Sequence, residues 1–227
     1  RNNILIATKC GIRKKDEPKK GLPHRYDLSQ EHILNSCESS LKRIGIDCID
    51  LYQLHRPDYL MEPEEIASAF EKLKQAGKAR EFGVSNFTVD QLNTLQAACP
   101  IKLHCNQVEI SLIHRNALED GSLNHYNHHT VTPLAWSPLA QGKLGSEYPV
   151  TLRNPNHSQE QAIRDALNQI AREKECSRTN VALAWLLRHP AGIVPIIGST
   201  NPEHIQDATK AADLHLSRED WYRLMEA

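Results

Sequence analysis

Along this chain, apolar runs of strand length alternate with longer stretches whose apolar positions recur at helical spacing. NILIATK (3–9) precedes a helical pattern that starts at Ser29, a residue suited to an N-cap, and runs through EHILNSCESSLKRIG. DCIDLYQLH (47–55) precedes EPEEIASAFEKLKQAG, where Pro63 fits a first helical turn and Gly77 a stop. AREFGVSN (79–86) precedes TVDQLNTLQAA, in which Thr88 and Gln91 have capping-box spacing. IKLHCNQVEI (101–110) leads into HRNALEDGSLNHYNHH, and TVTPLAWSPL (130–139) into a polar loop and helical patterns at 158–175 and 178–189. GIVPIIGST (192–200) leads into NPEHIQDATKAA, and a last short helix starts at Ser217. Six strand-then-helix units without a hairpin signal predict an α/β fold with a parallel sheet, either open and doubly wound or a (β/α) barrel.

The strand ends separate these two architectures. Each strand pattern closes on a polar or functional residue: Lys9, His55, Ser85 with Asn86, Gln107, Trp136 with Ser137, and Gly198 with Ser199 and Thr200. In a barrel all such ends share one rim, where barrel enzymes carry their chemistry. An open dinucleotide-binding sheet would show a glycine-rich phosphate turn after its first strand, and no GxGxxG occurs here. The barrel is therefore the expected fold. His55, at the end of DLYQLHRPD, would by itself read as a hydrogen-bonded rim residue; within a ring of strand-end residues it becomes a candidate catalyst. Lys9 and His55 together offer a fixed cation and an imidazole donor to a carbonyl oxygen. Ser85, Asn86 and Gln107 offer groups suited to a carboxamide, and Trp136 offers a flat face for a planar ring.

Composition narrows the partners. With 27 basic and 28 acidic residues among 227, the charge is balanced, which argues against nucleic acid and an anionic membrane surface as partners. No apolar run is long enough to span a bilayer, RNNILIATK lacks the zones of a signal peptide, and a cytoplasmic protein is expected. Six cysteines without a CxxC pair or zinc spacing are expected to be free thiols, and no metal is assigned. His125, His128 and His129 in HYNHH have helical spacing that could hold a metal, but polar residues in the last turn of a helix explain them as well. KKDEPKK (14–20) reads as a solvated loop, and YPVTLRNPNHS (148–158) as a cover or a plain linker.

ATKCG, DLYQLHRPD, GKAREFGVSNF, NQVEISL, LAWSPLAQGKL and PIIGSTNPEHI occur in the order and at the spacing of the aldo/keto reductases. The whole chain resembles that family, and within it most resembles the bacterial YdhF-type oxidoreductases. The resemblance implies a single (β/α)8 TIM-barrel domain over 1–227 that reduces a small-molecule carbonyl, an aldehyde, ketone or sugar, with NADP(H). It puts Lys9 and His55 in the family's Asp-Tyr-Lys-His tetrad, Ser85, Asn86 and Gln107 on the nicotinamide carboxamide, and Trp136 against the ring. It puts the pyrophosphate near Ser137, Leu139, Gly142 and Lys143, and the adenosine end against Gly198, Ser199, Thr200 and His204. These last residues are expected to open a helix whose N-terminus holds the 2′-phosphate. His204 stands where the family usually has an arginine. The family's Asp and proton-donating Tyr precede the Lys, and residue 1 is Arg. The chain is thus expected to be N-terminally truncated, to carry about six of eight parallel strands, and to turn over little alone. The other function considered is a nucleotide-binding regulatory protein of the same fold. Neither a particular substrate nor an oligomeric state is assigned.

Overall fold

The first strand is shorter than its apolar run. β1 spans Ala7–Cys10, while Ile4 and Leu5 stand exposed. Its ladder runs from Ala7 opposite Leu51 to Cys10 opposite Leu54, and the Ile6 amide ahead of it donates to Asp50 Oδ2 rather than to a strand carbonyl. The computed structural model describes residues 1, 3–147 and 158–227, without the side chain of Ser158, in two compact units, Arg1–Gln107 and Val108–Ala227. Tyr148 and the rest of 148–157, the expected cover or linker, lie outside the described residues.

The first unit carries β1, the short pair β2 (Ile12–Arg13) and β3 (Arg25–Tyr26), then α1 (Gln30–Ile44), β4 (Ile49–Leu54), α2 (Pro63–Gln75), β5 (Ala79–Ser85), α3 (Val89–Ala98) and β6 (Leu103–Glu109), whose last two residues belong to the second unit. The order β1-β4-β5-β6 is parallel throughout, as the alternation of strands and helices predicts. The antiparallel β2–β3 pair was not expected. With two residues on each side it is too short to print a period-two pattern, and it frames the exposed KKDEPKK loop.

Local signals explain the helices. The Ser29 side chain accepts from the His32 amide, and Gly45 ends α1 at φ +73°, a left-handed position that costs glycine little. Ile33, Cys37 and Leu41 form its buried stripe at i, i+4 spacing. Pro63 starts α2, and both bonds of the Thr88–Gln91 capping box are made at α3. Phe70 of α2 packs on Phe82 of β5 with ring centroids 4.3 Å apart, and neither ring is exposed. Burying such a ring contributes about 1.5–3 kcal/mol.

The second unit holds α4 (Asn116–Glu119), α5 (Ser122–His129), β7 (Thr132–Trp136), α6 (Ser158–Glu173), α7 (Arg178–Leu187), β8 (Val194–Pro195), α8 (Pro202–Thr209), a 3-10 turn at Lys210–Ala212, and α9 (Arg218–Glu226). β7 and β8 pair in parallel. The helical run before β7 is split because Gly121 takes φ +85°, which breaks the α-helical path. Strand β8 keeps only two of the residues expected at 192–200, one of them Pro195, which has no amide to donate. α7 is buried nearly all round, with Trp185 stacked on Trp221 of α9 at 5.3 Å. No described helix is long and apolar enough to cross a membrane.

Candidate active site

In the first unit, strand register brings the expected catalytic residues together. Lys9 lies opposite Gln53, Gln53 opposite Gly83, and Ser85 opposite Gln107, so their side chains share one face of the sheet. The Lys9 ammonium donates to Gln107 Oε1 at 3.0 Å, its only hydrogen bond to a described residue. Ser85 Oγ and the Asn86 amide both donate to the Gln107 carbonyl, at 2.8 and 2.9 Å. Asn86, at φ +61°, turns its Nδ2 toward Ser85 Oγ and the His55 carbonyl, at 2.9 and 3.3 Å. The His55 amide is fixed on the Cys10 carbonyl at 2.8 Å, while its ring nitrogens have no hydrogen-bond partner among the described residues.

Three residues of this cluster, Gln53, Gly83 and Cys105, were not among the expected site residues. Gly83 leaves room that Cys105 fills, since a Cβ there would stand 2.4 Å from Cys105 Sγ. Gln53 Nε2 donates to Cys105 Sγ at 3.5 Å and to the Val84 carbonyl at 3.4 Å. A polar Gln53 inside the apolar DLYQL run was the available clue. Burial lowers the Lys9 pKa, opposed by Cys105, and lifts the Cys105 thiol to about 12, so that sulfur stays neutral beneath the ammonium. Burial, then the charges of Lys9 and Arg56, push the His55 pKa down, which favours a neutral ring that still donates through one nitrogen.

The second unit contains a cleft of about 680 Å³. Ser137, Leu139, Gly142, Gly198, Ser199 and His204 line it, six of the residues expected at the phosphate and adenosine ends. The loop from β7 crosses it through left-handed residues Ser137, Ala140, Gln141 and Gly142, at φ +49°, +48°, +58° and +91°. Leu139, Leu183, Ile197, Ala208 and Ala211 pack as an apolar cluster that holds this loop to α7 and α8. Trp136 is half-buried at the end of β7. Lys143 and Thr200 do not line the cleft, and Lys143 instead pairs with Glu160 at 2.8 Å. Gly198–Thr200 also do not open the helix: Asn201 is its N-cap, with Pro202 at the first position, because proline suits a site with no amide to satisfy. A larger groove of about 1130 Å³, lined in part by Asp165, Arg172 and Arg223, holds none of the expected site residues.

The His125 and His129 rings lie 4.3 Å apart on α5, yet no group of three or more potential metal ligands gathers among the described residues.

The model of the aldo/keto reductase family matches residues 1–227. The chain belongs to that family. It is 41% identical to the uncharacterized oxidoreductase YcsN of Bacillus subtilis, over the whole of this chain and 74% of that protein. Against the oxidoreductase YdhF of Escherichia coli the identity is 40% (100% and 73% covered), and against a 6-dehydroglucose reductase of Novosphingobium aromaticivorans 38% (100% and 69%). Among solved structures, a glycerol dehydrogenase from Gluconobacter oxydans superposes with a TM-score of 0.86 at 25% identity, covering 98% of this chain and 71% of that one. The resemblance to YdhF-type oxidoreductases and the α/β fold with parallel strands, that of the family's (β/α)8 barrels, both agree with these likenesses.

Proposed function

We propose that this aldo/keto reductase reduces a small-molecule carbonyl to an alcohol with a nicotinamide dinucleotide. The observation that carries the reading is Lys9, a half-buried ammonium held on Gln107 beside His55, with no carboxylate on the ammonium and no partner on the imidazole nitrogens among the described residues. With one hydrogen bond to a described residue, the ammonium keeps donors in reserve.

The residues fit such a cofactor. In the first unit, Gln107 has an amide nitrogen without a partner among the described residues, next to Ser85 and Asn86, a donor and acceptor set suited to a carboxamide. In the second, the Ser137–Gly142 loop, left-handed at Ser137 and Ala140–Gly142, and open space around Gly142 suit close approach by a diphosphate to backbone. A bound reduced nicotinamide supplies the hydride. Lys9 Nζ and a neutral His55 N–H donate to the substrate oxygen and stabilise the negative charge that gathers there.

Lys9 bonds to no tyrosine hydroxyl among the described residues, and the Tyr52 hydroxyl donates to the Ile33 carbonyl from the opposite face of β4. Without that phenol the proton for the new alcohol would pass from the Lys9 ammonium, whose pKa burial lowers, or from water, and turnover is expected to be slow. The same observation favours a second reading, nucleotide binding with a regulatory role. The name of the 6-dehydroglucose reductase relative makes a sugar aldehyde the first substrate to test. Fluorescence titration with NADPH and NADH, followed by single-turnover oxidation of the bound nucleotide with 6-dehydroglucose, tests the reading. Binding with oxidation supports the reductase; binding without it supports the regulator; a folded chain that binds neither nucleotide excludes both.

A further inference from the structure

Among the described residues, the cleft of the second unit offers few cations to a phosphate. No lysine or arginine lies among its described lining residues, which include the carboxylates of Glu147, Glu203 and Asp207 and the imidazole of His204. The imidazole is engaged at both nitrogens: Nε2 lies 2.5 Å from Glu147 Oε1, and Nδ1 lies 3.3 Å from Ser199 Oγ. Lys143 and Lys210, on the flanking segments, pair with Glu160 and Asp207. Asp207 also accepts from Ser177 Oγ at 2.6 Å. The N-terminus of α8 adds little, because Pro202 has no amide and the Glu203 amide is already capped by Asn201 Oδ1 at 2.9 Å.

We propose that the Glu147–His204 pair selects a dinucleotide with a free ribose 2′-hydroxyl, so that this protein binds NADH at least as tightly as NADPH. The inference rests on the cofactor reading above and narrows it, against the expectation of NADP(H). A ribose diol can donate to a carboxylate such as Glu147 without disturbing His204. A 2′-phosphate dianion would face that carboxylate and Glu203, and could reach the imidazole only by displacing Glu147. The diphosphate is common to both nucleotides and does not enter the comparison.

The test is the ratio of Kd values for NADH and NADPH, measured by nicotinamide fluorescence and calorimetry on the wild type, Glu147→Gln and Glu147→Gln/His204→Arg, with circular dichroism of each. The wild type should favour NADH or bind both alike. Removing the Glu147 charge should shift the ratio toward NADPH by about 3–10-fold, and a guanidinium free to fork onto phosphate should shift it by a further tenfold or so. A tenfold wild-type preference for NADPH, or a ratio unmoved by Glu147→Gln, overturns the selection while leaving the cofactor reading intact. Binding of neither nucleotide by a folded wild type overturns the cofactor reading and this inference with it.

Discussion

Lys9 is held by an amide oxygen rather than by a carboxylate: its Nζ lies 3.0 Å from Gln107 Oε1 on β6. A neutral partner orients the ammonium without neutralising it, so its charge remains available to a substrate oxygen. Lys9→Met is expected to slow single-turnover oxidation of the bound nucleotide about 10²–10³-fold. Nucleotide Kd should change far less than the rate, since Gln107 loses only its Lys9 donor and keeps its bonds to Ser85 and Asn86, while the other proposed binding groups do not touch Lys9. Rapid-mixing absorbance and equilibrium titration on the same preparations separate the two effects. An unchanged rate would remove Lys9 from the chemistry.

His55 should report its surroundings through pH. Its pKa is lowered by burial and by Lys9 and Arg56, so the folded protein holds fewer protons on it than the unfolded chain does just below the ordinary value of 6.5. Stability is therefore fully present above about pH 6.5 and is lost as pH falls toward the lowered folded value. His32 and His189 shift in the same direction through burial, and so the contribution of His55 is read by difference. Urea unfolding at pH 7.5 and 5.5 should lose less stability in His55→Gln than in the wild type. In NMR titration, Lys9→Met should raise the His55 midpoint, because the nearby ammonium that opposes its protonation is gone.

Gly83 is expected to resist substitution although it lies in regular strand. A Cβ would meet Cys105 Sγ at 2.4 Å and the Cys105 carbonyl at 3.0 Å. Overpacking of this kind costs about 1–3 kcal/mol. Gly83→Ala should lower the urea midpoint, and adding Cys105→Ala should recover part of the loss, since the thiol contact is relieved while the carbonyl contact stays.

Ser177 joins two elements of the second unit. Its side chain caps α7 by accepting from the Asn180 amide, and its hydroxyl donates to Asp207 of α8 at 2.6 Å. Ser177→Ala should destabilise by about 1–2 kcal/mol, whereas Ser177→Thr, which keeps both bonds, should cost much less. Chemical unfolding of the two variants checks this.

Much of this molecule can be read along the chain. Alternating strand and helix periods, the Ser29 and Thr88 caps and the Pro63 start depend on residues within a few positions of one another, and they appear where the pattern places them. The placing of Lys9, His55, Ser85 and Gln107 at or beside strand ends was also legible, because a parallel strand delivers its last residues to one end of the sheet whatever surrounds it. The β2–β3 pair, the short β8 and the true start of α8 were not, since each depends on partners or on a proline's missing amide more than on periodicity. The finer chemistry was decided in three dimensions. That Gln107 rather than an acid holds Lys9, that Cys105 fills the space above Gly83, and that Glu147 occupies His204 are contacts between residues as far as 98 positions apart, which no local pattern encodes.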